Sequence, residues 1–456
     1  MKDKYSVIVI GAGVGGLTTA AYLANNGLKP LVLEKTKWPG GRCYTRMIDG
    51  IEFDIGALYI GEKALKILEQ DLGLHLETEF YRIGIKIGKH LFSIPFNLRT
   101  LGELIRGGVS WADILWLVMK ISKLFKPKFF DSYKSVGEVI DSLTRNDVIR
   151  KIGYVLFGAS GVSPYSLPSH YLRMDKGAFG TNVGNPIHFL RGNRAIADSL
   201  LSTILECGGE IVFEENVERI IFENGRASGV ATKEAHYSAN IIVSNTDIQT
   251  AIFKLSPPEV YMKNSYLEKV SILKKPLALV CVFLTFDLLT KFPHGFGAFF
   301  VPSISPIDEF EMLETGRFPE QSTFCLYVPT NIGQGAKTVH RATLQFYYPK
   351  GSVSSDALNQ QVNEILTSGL ERLYVGLSSR VLTYSVYDPQ KYEQSFGFKP
   401  IVFGISPDLA YERLPQQTPI SNFFCVGDSV QPDRPSVPQA MESGLQCARM
   451  IVNKLK

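Results

Sequence analysis

Residues 5–34 read Tyr-Ser-Val-Ile-Val-Ile-Gly-Ala-Gly-Val-Gly-Gly-Leu-Thr-Thr-Ala-Ala-Tyr-Leu-Ala-Asn-Asn-Gly-Leu-Lys-Pro-Leu-Val-Leu-Glu. Val7, Ile8, Val9 and Ile10 form an unbroken β-branched run, the composition of a strand buried on both faces. It runs straight into Gly11, Ala12, Gly13, Val14, Gly15 and Gly16, where the glycines mark a turn. Residues 17–25 then predict a helix, Gly27 its end, and Leu31, Val32 and Leu33 a second apolar strand closing on Glu34. The sum is one βαβ unit. Gly11 permits the tight turn, Gly13 lets backbone N–H groups approach a pyrophosphate at the helix N-terminus, and Gly16 lets helix and strand pack closely. Glu34, eighteen residues after Gly16, sits where a carboxylate accepts from a ribose and repels a 2′-phosphate. The stretch therefore selects a dinucleotide without that phosphate.

At 456 residues the chain divides into two or three structural units. With 45% hydrophobic and 20% charged residues it reads as globular, and a net charge of +4 is too mild to argue for nucleic acid. None of the six cysteines forms a C-x-x-C pair, and Cys281, Cys325 and Cys425 lie in apolar runs, so no metal site is assigned and a reducing compartment fits best. A strand within the first ten residues leaves no room for a signal peptide, and the most apolar run, 277–286, has the length of a strand and not of a membrane span. The expected location is cytoplasmic, with the membrane surface as an open variant.

Past Glu34 come Lys35 and then Gly40, Gly41 and Arg42, a flexible backbone that can lie against a ligand beside a guanidinium that can pair with phosphate. A surface turn with a solvated arginine is the alternative. Phe53, Asp54, Ile55, Gly56, Ala57 and Leu58 follow, a short strand ending in a second close-approach glycine. This order of motifs resembles the N-terminus of the flavoprotein superfamily that holds amine oxidases, protoporphyrinogen oxidase and phytoene desaturase-type enzymes. The resemblance implies an FAD cofactor, Arg42 with Gly41 along its pyrophosphate, and Gly56, Ala57 and Leu58 near the isoalloxazine. It places Lys35 among the cofactor-binding residues as well.

Residues 81–94 predict a short strand pair with a turn at Gly88-Lys89. From 97 to 130 apolar residues recur at helical spacing together with Arg99, Arg106, Lys120, Lys123, Lys126 and Lys128. Two readings stay open: amphipathic helices packed on a core, or a membrane-surface patch with Trp111 and Trp116 in lipid headgroups. Ser135 and Glu138 have the spacing of a capping box. Gly192-Asn193 precedes a helix from Ala195, and strands over 210–213, 217–222, 227–231 and 239–244 return the chain to the nucleotide-binding unit. In the resembled superfamily the residue matching Val217 meets the adenine through its backbone; plain sheet extension is the alternative. Between 250 and 410, strand-like runs (277–286, 299–301, 323–328, 342–348, 401–403), a helix near 357–373 and dense aromatics suit an antiparallel sheet over an apolar pocket, and equally an ordinary core.

The closing segment is more specific. An apolar strand ends in Gly427-Asp428, and a Pro-rich loop through Pro432, Asp433, Ser436 and Val437 leads into a helix. A helix N-terminus suits the electron-rich edge of a reduced flavin. By resemblance Gly427 and Asp428 contact the ribityl and phosphate, and Ser436 and Val437 lie beside the ring; a plain turn or capping role is the alternative for Asp428. With Pro435, Ser436 and Val437 where amine oxidases of the superfamily place an aromatic residue, the loop looks like the phytoene desaturase, carotenoid isomerase and retinol saturase branch. Two positions depart from that branch, Asp433 and Asn193, each where a glycine is usual.

The fold expected is α/β, a Rossmann-like FAD-binding domain with a mixed sheet plus an α+β substrate domain of antiparallel sheet and helices. Residues 1–80, 191–250 and 411–456 are assigned to the first domain. The second takes 81–190, helical with the membrane-surface patch, and 251–410, its sheet. The expected function is an FAD-dependent oxidoreductase acting on carbon–carbon bonds of an apolar, isoprenoid-like substrate. The flavin carries the chemistry, so no catalytic residue is assigned; His170, His188, Arg173, Asp175 and Lys176 stay without a role. The rivals are an amine oxidase, a non-enzymatic prenyl-lipid escort of the GDI type, and an isomerase using reduced flavin without net redox change.

Overall fold

The structure, a computed structural model, describes residues 5–455 except 81, 95, 173–184, 257–261, 288–295, 330–338, 407, 409–412 and 433–434. Arg173, Asp175, Lys176 and Asp433, all singled out above, therefore lie outside the described residues.

The β-branched strand Tyr5–Ile10 is central because it is apolar on both faces: Val7, Ile8 and Val9 are fully buried. It pairs in parallel with Leu31–Leu33 on one side and His236–Ser244 on the other. Glu210–Val212 and Phe423–Cys425 extend the parallel run at its two ends. The antiparallel strands Val217–Glu223 and Arg226–Thr232 join through the start of His236–Ser244, so the seven-stranded sheet is mixed, as expected. Alternate side chains serve two cores. Val7, Val9, Val32 and Val243 pack under the helices Val14–Asn25, Arg194–Glu206 and Val437–Leu455, while Ile8, Ile10, Leu31 and Ile242 face Ile220, Val230, Ile252 and Leu414.

Two of those helices touch backbone to backbone. A methyl group on Gly444 would collide with the Gly15 carbonyl oxygen and lie 2.8 Å from Thr19 Oγ1. Thr19 Oγ1 donates to the carbonyls of Gly15 and Gly444 at 2.9 and 3.2 Å.

A second seven-stranded sheet runs Val381–Tyr387, Ala278–Asp287, Val339–Tyr348, Phe324–Val328, Phe296–Val301, Arg82–Ile87, His90–Ile94. All neighbours are antiparallel except Phe296–Val301 with Arg82–Ile87. Helices Leu98–Arg106, Trp111–Ile121 and Asp147–Gly158 gather beside its Arg82–Ile94 edge, where Ile85, Phe92, Leu104, Ile114, Ile152 and Val301 share one core, and Val136–Leu143 packs with Leu124, Phe130 and Tyr154 in a neighbouring one.

Two local expectations need correction, and one strand was not expected. Residues 401–403 form no strand: Pro400 lacks an N–H, Ile401 makes one isolated bridge to Ala278, and the Ile401 carbonyl accepts from Arg42 instead of from a neighbouring strand. Val381–Tyr387 is a strand that its sequence did not announce, because as an edge it leaves Leu382 and Tyr384 exposed and shows no continuous apolar face. The Ser135 cap is half a box: Ser135 Oγ accepts from Glu138 N at 3.2 Å, but Glu138 returns its carboxylate to Lys134 N at 2.8 Å.

The helix contact makes a stability test. Gly444→Val should lower the unfolding free energy by about 3 kcal/mol, since backbone has no room to relax. Gly102→Ala, at a half-buried position of the helix Leu98–Arg106 with nothing within 4 Å of the added methyl, should raise it by roughly 0.5–1 kcal/mol. Urea denaturation reads both.

Candidate cofactor and active site

The helix Val14–Asn25 starts at Gly13 with no side-chain cap and no acid in its first turn. Its leading N–H groups and positive dipole end therefore face outward without compensation from the protein's own side chains. Gly11, at φ +95°, makes the turn that aims them. The glycines also serve a second residue, Asn245, whose role has no signature in the sequence. A methyl on Gly13 would lie 2.6 Å from Asn245 Nδ2, and methyls on Gly15 and Gly427 would lie 2.8 and 2.9 Å from its Oδ1. Asn245 is tied down by its N–H to Ile10 O at 2.8 Å and by Nδ2 to Gly11 O at 3.4 Å. One amide side chain thus sits in the angle between the opening loop and the closing strand.

Glu34 is buried and holds that loop in shape. Ala12 N donates to Oε2 at 2.7 Å, while Thr36 N and Oγ1 donate to Oε1 at 2.9 and 2.8 Å. Glu215 N and Glu214 N donate to the carbonyls of Glu34 and Thr36, which lays the residues before Val217 alongside Glu34. Val217 is buried on the first rung of its hairpin, and Lys35 is exposed.

Gly40 and Gly41 both have positive φ, and Gly40 N donates to Ala12 O at 2.7 Å, joining this turn to the opening loop. Arg42 is not a solvated turn residue. Its Nη2 contacts both Asp428 oxygens at 2.9 and 2.8 Å and its Nη1 donates to Ile401 O at 3.2 Å. Gly404 N donates to Asp428 Oδ2 at 2.9 Å. Three remote segments close on one ion pair, which rules out a plain turn role for Asp428.

Gly56 packs against the Arg42 backbone, where a methyl would collide with the carbonyl oxygen, and Ala57 N donates to Arg42 O at 3.0 Å. The second sheet meets this segment: Gln345 Nε2 donates to Gly56 O at 3.1 Å, and Leu58 packs with Cys325 and Tyr327. Asn193, one of the departures, donates from its side chain to Ala57 O at 2.5 Å and from its N–H to Asp54 Oδ1 at 3.0 Å. The buried Asp54 also accepts from Thr45 Oγ1 at 2.6 Å and Tyr327 O–H at 3.2 Å. Tyr327 oxygen in turn lies 2.5 Å from His188 Nδ1. Burial, the largest effect, holds His188 below the usual histidine range and so favours its neutral imidazole. His188 thereby has a structural place, while the joint roles of Asp54 and Tyr327 were missed: Tyr327 lies 273 residues from Asp54 and 139 from His188.

At the last helix, Ser436 Oγ accepts from Gln439 N at 3.3 Å and so acts as its N-cap. Pro438 has no N–H, and Ala440 N is bonded to Ser436 O. Among the described residues, Val437 N–H is the amide of that first turn with no protein partner. Ser443 Oγ accepts from Gly427 N at 3.3 Å, and Glu442 pairs with Lys63 at 3.4 Å. Among the described residues no cluster of metal-ligating side chains occurs.

A sequence-family model for an NAD(P)-binding Rossmann-like domain matches residues 9–66. The all-trans-retinol 13,14-reductase of Rattus norvegicus is 23% identical, across 100% of this chain and 86% of that protein. The phytoene desaturase of Fusarium fujikuroi is 25% identical over 78% of this chain and 68% of its own. The chloroplastic prolycopene isomerase of Daucus carota is 25% identical over 99% and 80%. Other retinol-reductase relatives are matched over little more than half their length, 54% for that of Macaca fascicularis. Among solved structures, an oxidoreductase from Methanosarcina mazei superposes with a TM-score of 0.72 at 18% identity, covering 98% of this chain and 100% of that one. Putrescine oxidase bound to putrescine gives 0.67 at 15%, covering 99% of each. At these identities the superpositions speak for fold alone. The chain thus shares its fold with these solved oxidoreductases, carries a dinucleotide-binding Rossmann-like unit, and has homologues named retinol reductase, phytoene desaturase and prolycopene isomerase.

Proposed function

We propose that this protein is an FAD-dependent oxidoreductase acting on carbon–carbon bonds of an apolar, isoprenoid-type substrate. The observation that carries the reading is the meeting of the uncapped Gly11–Gly16 loop with Gly427 and Asp428 around Asn245 and Arg42. A long cofactor can run along such a line from Glu34 to Val437. The residues fit the group: outward N–H groups for a pyrophosphate, a carboxylate for a ribose, and one unpartnered amide at a helix start.

In this reading Glu34 accepts from the ribose hydroxyls, with Val217 and Lys35 at the same adenosine end. Gly11, Ala12, Gly13, Gly15 and Gly16 hold the diphosphate with Gly41 and Arg42. Asp428 orients Arg42, Val437 N–H donates to the pyrimidine edge, and Gly56, Ala57 and Leu58 line the ring where the second sheet begins. FAD supplies hydride transfer from an allylic carbon, or to one after its own reduction. The protein contributes a dry slot and alignment. An apolar substrate needs no side-chain base, which agrees with a site whose buried carboxylate, Asp54, is occupied by Thr45, Asn193 and Tyr327. Pro435, Ser436 and Val437 before the last helix offer no aromatic wall for an amine.

The purified protein should show the visible absorption of a flavin, release FAD on denaturation, and convert carotenoid or retinoid substrates while leaving polyamines untouched. A colourless protein that FAD cannot reconstitute would instead favour a lipid escort. Product formed without consumption of an electron acceptor would identify an isomerase. Asp428→Ala, which strands Arg42 and the Gly404 N–H, should raise the FAD dissociation constant at least about tenfold by flavin fluorescence titration. Asn245→Leu should do the same with the secondary structure retained, because a branched side chain cannot lie against three glycines.

A further inference from the structure

The helix Trp111–Ile121 buries a single residue, Ile114. Asp113, Ile114, Leu117 and Ile121 form its inner side at helical spacing. That side is fixed: Ser110 and Asp113 cap each other, Asn146 Nδ2 donates to Asp113 at 3.1 Å, and Lys120 Nζ donates to Ser142 O at 3.3 Å. The outer side carries Trp111, Leu115, Trp116, Val118 and Met119, with exposures from 48% at Trp116 to 65% at Trp111. No charged residue interrupts it. Leu98, at the start of the neighbouring helix, is 87% exposed.

Positive charge surrounds this face. Residues 96–130 hold six basic side chains, Arg99, Arg106, Lys120, Lys123, Lys126 and Lys128, against two acids, an excess that equals the net +4 of the whole chain. Both acids are engaged, Glu103 by Ser93 and Arg99 and Asp113 by Ser110 and Asn146. A second copy on this face would bring like charges together. A bilayer with anionic headgroups satisfies both features, taking the apolar side into its interface and the lysines onto its phosphates; tryptophan is at home at that depth. No helix among the described residues is long and apolar enough to cross a membrane, so the contact lies along the surface.

We propose that the outer face of Trp111–Ile121 docks this protein on an anionic lipid bilayer, the helix lying in the interfacial plane with Lys123, Lys126 and Lys128 at the headgroups. The proposal goes beyond the assigned chemistry and does not rest on it. Its test is flotation of the full chain with vesicles of phosphatidylcholine alone or with phosphatidylglycerol added. In a Trp38→Phe background, the fluorescence of Trp111 and Trp116 reports the face directly, since the chain has three tryptophans. Binding to the anionic vesicles, a blue shift, and about tenfold weakening as salt compresses the Debye length are expected. Leu115→Glu with Val118→Glu should reduce binding at least about tenfold, as should Lys123→Glu with Lys126→Glu, each at an unchanged thermal midpoint. No flotation at low salt, or undiminished flotation of either pair of substitutions, overturns the proposal. So does a concentration-dependent dimer in ultracentrifugation that Leu115→Glu dissolves. Because no readout needs flavin, a colourless protein leaves the test intact.

Discussion

The contact between Gly15 and Gly444 sets the geometry on which the site depends. With a side chain at either position the opening and closing helices would stand apart, since Gly444 approaches the Gly15 carbonyl where no Cβ fits. Because they meet, the strand Phe423–Cys425 can take its place beside His236–Ser244, and Gly427 comes against Gly15. The Arg42–Asp428 pair then follows with no further search. Closing a chain of this length costs entropy that grows only slowly with separation, so a few close contacts backed by two apolar cores suffice to hold the ends together.

The two sheets are coupled at a narrower seam. Gly56 is pressed between the Arg42 backbone and the Gln345 side chain, and Asp54 binds at once the hairpin through Thr45, the return segment through Asn193, and the second sheet through Tyr327. Removing a donor there would leave a buried carboxylate partly unsatisfied, which costs more than the bond itself contributes. A glycine at position 193 could supply the N–H to Asp54 but not the side-chain bond to the Ala57 carbonyl.

What the sequence made readable follows from how far each constraint reaches. The parallel strands announce themselves because burial on both faces leaves continuous apolar runs such as residues 7–10, and the glycine turn is a local feature of backbone. The second sheet was readable where its strands are covered, as in Ala278–Asp287, and not at its edge, Val381–Tyr387, where one face meets water. Asn245 and Tyr327 carry no local signature, since what makes them matter is a partner brought from another part of the chain; Asp54 stands in a motif, but its bond to Tyr327 does not show there. Ile401 is the converse case: its apolar neighbours suggested a strand, but its carbonyl is taken by Arg42.

The same logic explains why, among the described residues, the site's titratable groups are engaged. Glu34 is occupied by the loop it shapes, Asp428 by Arg42, Asp54 by three donors, and His188 is buried against Tyr327. Reactions that move a proton to or from a heteroatom need a side chain poised to titrate. Hydride transfer at an allylic carbon needs distance, alignment and exclusion of water. An architecture that spends its polar residues on fixing two sheets and a loop, and surrounds them with apolar strands, is suited to the second kind of reaction and poorly suited to the first.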